Sequence, residues 1–492
     1  MLLGAVDLGS NSFRVEIGRV DGDRIVTQSY WKETIRMAAG FDKNGALTPE
    51  MQEKALAALS RFHEKLAGLP ATQVRAVGTQ ALREAANSSE FLPKAEAALG
   101  YPIGILSGHE EARLVFKGCA RTLPPSDKRR LVVDIGGAST EFVVGQDLEA
   151  QEYESYHVGC VNTSMKFFAD GVITAEKLDK AIVACCAEFS EGEHKFNDTK
   201  FDEAYGSAGT FGAVSDICVA QGWSDGEVTP EHLEKIRALL LRAGNINNIQ
   251  FPGLKPDRRE VIAGGYAVLT AVYRTAGIKS MRPASGALRV GLLYEQLGIV
   301  QNRDTRDTRD ISVDAIIRTC GVSREQADIV AGYAVEFLRM LDPGIDPAAL
   351  KRLRWAALMH EVGTTISTSR YHRHGEYIVS NADLPGFTRT DQQYMAKLIL
   401  AQRGGLGKAE DFLKSQANTR QVLAMRLAVI FAHARKPAPL PLITITRSLN
   451  NSVLNIAIDR TWLEQHPLTA YMLQQEADDW KKVGRVITVT TF

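Results

Sequence analysis

Two stretches of this sequence carry an aspartate at the end of an apolar run and a glycine two residues later. The first is LLGAVDLGSNSFRVEIG, residues 2–18, and the second is LVVDIGGASTEFVVG, residues 131–145. A strand that runs into a tight glycine turn exposes backbone N–H groups that cannot all pair within the turn, and such a concavity binds an oxyanion. Each stretch therefore predicts a phosphate-binding turn between two strands.

The recurrence of this pattern separates two interpretations. One such turn alone is typical of a β-hairpin, in which Gly, Ser and Asn only form the turn. Asp7 and Asp134 are 127 residues apart, about one domain length, and both have β-like flanks. We therefore predict a duplicated α/β domain with a site between the halves. Each aspartate, at the carboxyl end of its strand, is placed to hold Mg²⁺ directly or through water.

The chain is long and electrically balanced. At 492 residues it exceeds what one hydrophobic core supports, so it divides into several domains. Lys and Arg together number 58, as do Asp and Glu, and the net charge is zero. This excludes a protein that binds nucleic acid through its overall charge, while a local basic groove stays open. No nucleic-acid partner is predicted.

The cysteines and the hydropathy indicate the compartment. The six cysteines form no CxxC pair and no Cys/His ligand spacing, which is typical of buried free thiols in a reducing environment. The apolar start of the chain has no basic residues and ends early at Asp7, unlike a signal peptide. No segment reaches the roughly 18 apolar residues of a membrane span. We expect a cytoplasmic protein without an integral membrane segment.

Hydrophobic periodicity divides the chain into four parts. Residues 1–124 predict an α/β domain, and residues 125–300 repeat its order from the turn at Asp134. The charged stretch 301–310 predicts a solvated linker. Residues 311–436 are helical in pattern, and residues 437–492 predict a small α+β domain. Within the first part the predicted elements are hairpin strands over 4–30, a helix from Thr48, a strand over 74–79, a helix over 80–99, a strand over 101–106 and a helix opened by Ser107-Gly108.

The paired turns resemble those of the actin, sugar-kinase and heat-shock-ATPase superfamily, and most closely its exopolyphosphatase and guanosine pentaphosphate phosphohydrolase (Ppx/GppA) branch. The resemblance covers nearly the whole chain and implies duplicated actin-like (ribonuclease H-like) domains, then an all-helical HD-like domain and the small C-terminal domain. Besides the turns, it rests on VGTQALREA (77–85), ILSGHEEARLVFKG (105–118), GSAGT (206–210), PGLKPDRREVIAGG (252–265), GALRVGLLYE (286–295), HEVG (360–363) and HRHGEYIVSNADLPGF (372–387).

The resemblance assigns the catalytic base to Glu111. A hydrolase acting on a phosphoanhydride needs a base that orients and deprotonates water in line with the terminal phosphorus. Two glutamates at a helix start are otherwise typical of carboxylates that stabilise the helix dipole, and Glu110 is assigned to the helix start or the metal. The family motif makes Arg83 a phosphate clamp, whereas the residue pattern alone also fits an arginine on a helix surface.

The remaining site residues follow from the turns and the resemblance together. Mg²⁺ is expected near Asp7, Asp134 and Glu141, and stimulation by K⁺ is left open. Phosphate binding is expected at Gly9, Ser10, Asn11, Ser12, Arg83, Gly136, Gly137, Ser139, Thr140 and Gly209.

Three features depart from the family pattern. Ala138 stands where the second turn usually has a third glycine, and its methyl group fits only if φ is negative there. Residues 285–290 have serine and valine where relatives often carry acidic residues, which puts a site role for this stretch in doubt. His360-Glu361 replaces the His-Asp dyad of metal-dependent HD phosphohydrolases, and we expect a metal-free structural or substrate-channel role for it.

The leading functional prediction is an exopolyphosphatase. It would hydrolyse the terminal phosphoanhydride of inorganic polyphosphate processively, releasing orthophosphate, with Mg²⁺ and a water activated by Glu111. The alternative in the same class is removal of the 5′ γ-phosphate of guanosine pentaphosphate (pppGpp). A non-hydrolytic, actin-like switch that binds nucleotide or polyphosphate is the alternative from another class. The family resemblance also implies a homodimer.

Overall fold

The computed structural model describes residues 1–492 except 23, 125, 198–199, 302–306, 437 and 448–452. The chain divides into two compact units, Met1–Thr305 and Arg306–Phe492. Half of the predicted linker over 301–310, residues 302–306, lies outside the described residues. Its last residues begin a helix that Asp307 caps, because the Asp307 side chain accepts a hydrogen bond from the Arg309 N–H.

The first unit contains two five-stranded sheets with the same topology. In each sheet the first three strands form an antiparallel meander, and the fourth and fifth run parallel to the first. The spatial orders are β3-β2-β1-β4-β5 and β8-β7-β6-β9-β10. The strands are β1 (Leu2–Leu8), β2 (Ser12–Asp21), β3 (Arg24–Thr34), β4 (Val74–Gly78), β5 (Ile103–Ile105), β6 (Arg130–Ile135), β7 (Thr140–Gln146), β8 (Glu149–Tyr156), β9 (Glu203–Ser207) and β10 (Arg282–Pro283).

The duplication extends to an irregularity in the second strand of each sheet. The register of β2 against β3 shifts between Ile17 and Gly18, and that of β7 against β8 shifts between Val144 and Gly145. Gly18 and Gly145 are 127 residues apart, as are Asp7 and Asp134. Glycine is common where a strand bulges, because it has no Cβ to crowd the bend. The repeat predicted from the two turns is thus a repeat of whole sheets.

Eleven helices are described in the first unit, and the two that follow Thr48 and Ser107 begin where the sequence predicts. The side chains of Thr48, Ser107 and Thr174 each accept a hydrogen bond from a first-turn N–H. The helices are α1 (Pro49–Leu66), α2 (Gln80–Glu84), α3 (Ser88–Leu99), α4 (Gly108–Thr122), α5 (Cys160–Phe168), α6 (Ala175–Phe189), α7 (Glu193–Phe196), α8 (Ala208–Ala220), α9 (Pro230–Ala243), α10 (Ile262–Ala276) and α11 (Leu288–Gln301).

The prediction of one helix over residues 80–99 is wrong, because the chain leaves the helix between α2 and α3. The Ala86 N–H donates to the carbonyl oxygen of Gly45 at 2.9 Å. The side-chain amide of Asn87 bonds both the N–H and the carbonyl of Leu47, at 2.8 and 3.0 Å. These bonds to a distant loop replace helical ones, so tertiary contacts override a helix-compatible sequence here.

Helix α11, at the end of the second half, packs against α4 and β1 of the first half. The two helices approach so closely that their backbones touch at glycines. A Cβ built on Gly118 would overlap the Ala287 carbonyl oxygen, and one built on Gly291 would overlap the Leu114 carbonyl oxygen. The predicted boundary at 124/125 therefore divides one compact unit, and the domain limits remain predictions.

The second unit combines helices with a small three-stranded sheet of order β11-β12-β13. One hydrophobic core unites its helices with residues of the sheet and of the last helix, including Ile456, Ile458 and Trp480. No helix in the described part of the chain is long and apolar enough to cross a membrane. The elements are α12 (Thr308–Thr319), α13 (Arg324–Leu341), α14 (Pro347–Leu358), α15 (Tyr371–Asn381), α16 (Arg389–Ala401), α17 (Gln416–Phe431), β11 (Ile443–Arg447), β12 (Val453–Ile458), α18 (Arg460–Gln465), α19 (Pro467–Lys481) and β13 (Val486–Thr491).

Candidate active site

The two glycine turns face each other. One joins β1 to β2 and the other joins β6 to β7. A Cβ built on Gly137 would lie 3.1 Å from the Asn11 Cβ and 3.3 Å from the Ser10 Cβ, so the second turn approaches the first within van der Waals contact. Ala138 is not among the residues with positive φ, and its methyl group is accommodated as expected. The two turns form one cleft in the first unit.

A cavity of about 60 Å³ lies at this cleft. It collects twelve of the predicted site residues from the two turns, from the first turn of α4 and from the start of α8: Asp7, Gly9, Ser10, Asn11, Ser12, Glu111, Asp134, Gly136, Gly137, Ser139, Glu141 and Gly209. It also has lining residues that the sequence analysis did not assign, namely Arg14, Thr79, Ile135, Ala208, Arg258, Ala287, Leu288 and Arg289.

Glu111 reaches the cavity from the first turn of α4. Its side chain is buried, and its Oε2 accepts a hydrogen bond from Arg83 Nη1 at 2.9 Å. Burial raises the pKa of the Glu111 carboxyl, Arg83 opposes that rise, and the nearby carboxylate of Asp7 adds to it. A carboxyl group whose pKa is raised toward neutrality is suited to accept a proton from water.

Arg83 and Thr140 are the two predicted phosphate ligands that do not line the cavity. The Arg83 guanidinium donates to Glu111, to the Leu106 carbonyl oxygen at 2.9 Å and to Gln80. The Thr140 hydroxyl is fully buried and donates to the Val158 carbonyl oxygen at 2.5 Å. In this structure Arg83 therefore positions Glu111, and Thr140 ties β7 to the segment after β8.

Glu110 serves a different purpose from Glu111. It is buried and accepts two hydrogen bonds from Arg113, at 2.8 and 2.7 Å. Arg113 also bonds Glu295 of α11. Glu110 is not among the residues that line the cavity, so its contacts assign it to the packing of α4 on α11.

Carboxylates crowd the base of the cavity. Burial, followed by the charge of Glu111, raises the pKa of Asp134 to about 7. Burial, followed by the charges of Glu111 and Asp134, raises the pKa of Glu141 well above its usual range. The Oδ1 atom of Asp134 is buried without a hydrogen-bond partner in the described structure. Such a cluster of negative charge, with one buried oxygen unpaired, is stabilised by a cation.

The carboxylate oxygens at the cavity are suited to Mg²⁺, and the protein would supply only a few of its ligands. No group of three or more His, Cys, Asp or Glu side chains is arranged around a common metal position within the described ranges. Glu141 accepts instead from the Ser155 hydroxyl at 2.9 Å. Mg²⁺ is commonly held by one or two carboxylates, with water and substrate phosphates completing its shell. Asp7 and Asp134, both lining the cavity, supply that number of carboxylates.

Three arginines add positive charge that the sequence analysis missed. Arg14 lies opposite Asp7 in the strand register and donates to it at 3.4 Å. Arg289, from the stretch 285–290, is 3.7 Å from Asp7 and bonds Glu16 at 3.2 Å. Arg258 lies against Gly209, where a Cβ would overlap its guanidinium. Guanidinium groups bind phosphate oxygens in a planar, bidentate fashion, so these side chains balance the carboxylates.

The segment beside Arg258 contains a strained residue. Ala208 lines the cavity with φ 60°, in the left-handed region that favours glycine. Strain of this kind persists where the surrounding structure enforces it, and it is concentrated at functional sites. The GSAGT stretch, which contains the predicted phosphate ligand Gly209, reaches the cavity through Ala208 and Gly209.

We expect Asp134→Asn to stabilise the metal-free protein at high pH. The pKa of Asp134 is about 7 in the folded chain against an ordinary 3.8, so between these values the folded chain binds more protons than the unfolded chain. The free energy of unfolding therefore falls as the pH rises from about 4 to about 7. The variant should remove this loss, a gain of about 2–4 kcal/mol at pH 8. Urea unfolding with a chelator at pH 4.5 and pH 8 measures it, and an equal effect at both pH values would contradict the burial of a charged Asp134.

Comparison with known proteins agrees with this geometry. Residues 17–299 match the Ppx/GppA phosphatase family, and residues 308–477 match domain III of Ppx/GppA phosphatases. Guanosine-5'-triphosphate,3'-diphosphate pyrophosphatase of Aeromonas hydrophila is 35% identical, over 98% of this chain and 97% of its own length. The protein of that name from Vibrio vulnificus is 34% identical, over 98% and 97%.

A solved structure shares the fold over part of this chain. An exopolyphosphatase from Cytophaga hutchinsonii has a TM-score of 0.55 and 20% identity, covering 60% of this chain and 98% of its own. The predicted actin-like α/β fold with a helical third domain is confirmed, while the HD-like character of that domain stays a prediction. The predicted enzyme class, a phosphoanhydride hydrolase, is also confirmed by the family. Two duplicated sheets with facing phosphate turns, together with matches over both units, show that the chain belongs to the Ppx/GppA phosphatase family.

Proposed function

We propose that this chain hydrolyses the terminal phosphoanhydride of the 5′-triphosphate of pppGpp. The observation that carries the proposal is the meeting of two glycine turns, a buried glutamate and three arginines at one small cavity. The names of the relatives at 34–35% identity favour this substrate over inorganic polyphosphate, which the sequence analysis placed first. The sequence-based alternative thus becomes the leading proposal.

In the proposed reaction the terminal phosphoryl group lies between the turns. Backbone N–H groups of the glycine turns, with the side chains of Ser10 and Asn11, donate to its oxygens. Water attacks the phosphorus as Glu111 accepts a proton from it, and the bond from phosphorus to the bridging oxygen breaks. The products are orthophosphate and the shortened 5′-diphosphate, which keeps the bridging oxygen.

In the proposed reaction the negative charge of the substrate is neutralised by three arginines and by Mg²⁺, for which Asp7 and Asp134 are the ligands. Arg14, Arg258 and Arg289 are placed to bind the substrate's phosphate oxygens. Mg²⁺, when bound by Asp7 and Asp134, supplies compensation for charge on the leaving oxygen. Glu141 is a further carboxylate near this position, and its hydrogen bond to Ser155 holds it in place. We also propose that the protein forms a homodimer, and the support for this is the family resemblance.

Inorganic polyphosphate is the second candidate substrate, and the lining of the cavity supports it. The lining residues are glycines, small polar residues, carboxylates, arginines and three aliphatic residues besides Ala208, with no aromatic ring among them. A nucleobase is commonly held by stacking on an aromatic side chain. The cavity lining is therefore suited to phosphate groups. The end of a polyphosphate chain carries the same terminal phosphoryl group as a nucleoside triphosphate.

A side-by-side assay of orthophosphate release tests the proposal. Wild type, Glu111→Ala and the exposed control Glu53→Gln are given pppGpp, long-chain polyphosphate or ATP, each with Mg²⁺ or with a chelator. We expect the highest kcat/KM for pppGpp, loss of turnover in Glu111→Ala only, and loss with the chelator. A higher kcat/KM for polyphosphate would transfer the assignment to the second candidate. Turnover of ATP alone would favour a superfamily ATPase, and binding without turnover would favour a switch.

A further inference from the structure

The hydrogen bonds of Arg83 fix the orientation of its guanidinium group. An arginine has five N–H donors in one plane. Nη1 of Arg83 donates to Glu111 Oε2 and to the Leu106 carbonyl oxygen, each at 2.9 Å. Nε, at 3.0 Å, and Nη2 both donate to Oε1 of Gln80. Because the guanidinium is rigid and planar, the acceptor that holds Nε and Nη2 also determines where Nη1 meets Glu111.

Gln80 supplies that acceptor from the same short helix as Arg83. Gln80 begins α2, and Gln80, Arg83 and Glu84 are at positions i, i+3 and i+4, so that their side chains lie on one helix face. Gln80 is 3% exposed, and water therefore has little access to its amide. Two N–H donors of Arg83 meet one end of this amide, which makes that end the oxygen and the other end the nitrogen.

The amide nitrogen of Gln80 is held in turn by Glu84 and His157. Nε2 donates to Glu84 Oε1 at 2.5 Å and lies 2.6 Å from His157 Nδ1. His157 Nδ1 is also 2.8 Å from the same oxygen of Glu84. His157 directly follows β8 of the second sheet, whereas Gln80 and Glu84 belong to the first half of the unit. Both ends of the Gln80 amide are therefore fixed, one of them by a contact between the two halves.

Glu111 depends on Arg83 for its position and for its charge. The side chains of both residues are buried, and Arg83 opposes the rise in the pKa of the Glu111 carboxyl. A displacement of about 1 Å in a catalytic group costs up to about a hundredfold in rate. Gln80 is not among the residues that line the catalytic cavity. An effect of Gln80 on the reaction therefore passes through Arg83.

We propose that Gln80 is a positioning residue for the hydrolysis. Its amide oxygen orients the Arg83 guanidinium, which in turn holds the Glu111 carboxylate toward the attacking water. Glu84 and His157 hold the other end of the amide. The inference rests on the proposed function, since it takes Glu111 as the proton acceptor. It adds that the position of the base depends on a hydrogen-bonded chain between the two halves.

Gln80→Met tests this role, because methionine keeps the approximate volume but removes the amide oxygen. We expect kcat for orthophosphate release from pppGpp to fall about 10–100-fold, while KM stays within about twofold of the wild-type value. The matched control is Gln296→Met, at a buried glutamine of α11 that donates to the Thr72 carbonyl oxygen and does not line the cavity. This control should keep the wild-type kcat. An equal fall in both variants, or a rise in KM with an unchanged kcat, would overturn the positioning role.

An exchange of the two side chains at positions 80 and 84 provides a rescue. In Gln80→Glu/Glu84→Gln, the carboxylate at position 80 accepts from Arg83 and the amide at position 84 donates to that carboxylate. The exchange keeps the net charge and restores an acceptor for the guanidinium. We expect kcat to recover to within about fivefold of the wild-type value. A kcat no higher than that of Gln80→Met would contradict an acceptor role for position 80.

The double variant Gln80→Met/Glu111→Gln shows whether Gln80 acts through the base. Residues that act as a unit have non-additive effects, so adding Gln80→Met to Glu111→Gln should cause no further loss of kcat. A further loss as large as that in the wild-type background would overturn the positioning role. If Gln80→Met keeps the wild-type kcat while Glu111→Gln loses it, the inference fails and the proposed function stands. If Glu111→Gln keeps the wild-type kcat, both are overturned.

Discussion

Replacing Glu111 with glutamine should lower kcat for orthophosphate release by about 10²–10⁴-fold, because the amide cannot accept the proton of the attacking water. The change preserves volume, and Arg83 keeps a hydrogen-bond acceptor at the same place. We therefore expect KM to change little and the free energy of unfolding to change by less than about 1 kcal/mol. Steady-state kinetics with pppGpp, together with urea unfolding, provide the measurement.

The pH dependence distinguishes a base from a residue that only shapes the cavity. In the wild type the acid side of the kcat/KM profile should report a carboxyl group whose pKa is raised by burial. In Glu111→Gln the residual activity should lose that acid limb. The exposed control Glu53→Gln should retain both rate and profile. A residual rate near the wild-type value would contradict the role of Glu111, whichever substrate is turned over.

Replacing Arg113 with methionine should destabilise the first unit by about 3–5 kcal/mol, since it removes the cation that bonds two buried carboxylates. Glu110 is 1% exposed and Glu295 7% exposed, and both accept from Arg113. Burial acts to raise the pKa of Glu295, but Arg113 and its cationic neighbours lower it to about 2. Thermal and urea unfolding of the full chain, followed by the loss of orthophosphate release, measure the effect.

The sign of the pH effect provides a check on this network. Because the folded-state pKa of Glu295 is depressed, its contribution to stability is present above the unfolded value near 4.5 and is lost as the pH falls toward 2. That acid dependence should weaken in Arg113→Met. Arg121→Met, on the same helix and over the ring of Tyr294, is the matched control and should cost less than about 1 kcal/mol. A similar cost for both variants would contradict a buried ion network.

The glycine turns were predictable because their information is local. An aspartate, a glycine and small polar residues directly after an apolar run define a turn wherever the chain goes, and the repeat indicates that two such turns act together. Glu111 needed the family resemblance, since a glutamate at a helix start is equally typical of dipole stabilisation. The neighbouring Glu110 has the same side chain at the same helix start. Only the fold decides that Glu111 lines the cavity while Glu110 bonds Arg113.

The sequence analysis missed the three arginines of the cavity, and only one of them has a signal in the sequence repeat. Arg14 and Glu141 are 127 residues apart, and each is the direct cross-strand partner of the aspartate in its turn. Extending the repeat by seven residues beyond each aspartate would have found Arg14. Arg289 and Arg258 have no such signal, because they reach the cleft through long-range packing of α11 and of the segment before α10. The sequence argued against a site role for the stretch 285–290, yet this stretch contributes Arg289 to the cavity wall.

The close packing of α4 against α11 suggests how a site with two different charged groups arises from a repeated fold. Both helices follow the fifth strand of their own sheet, so they occupy equivalent places in the two repeats. One presents Glu111 to the cavity and the other presents Arg289. A symmetric dimer of identical half-length chains would present two glutamates or two arginines. Joining the halves in one polypeptide lets the two copies diverge, so that a carboxylate from one copy and a permanent cation from the other line the same cavity.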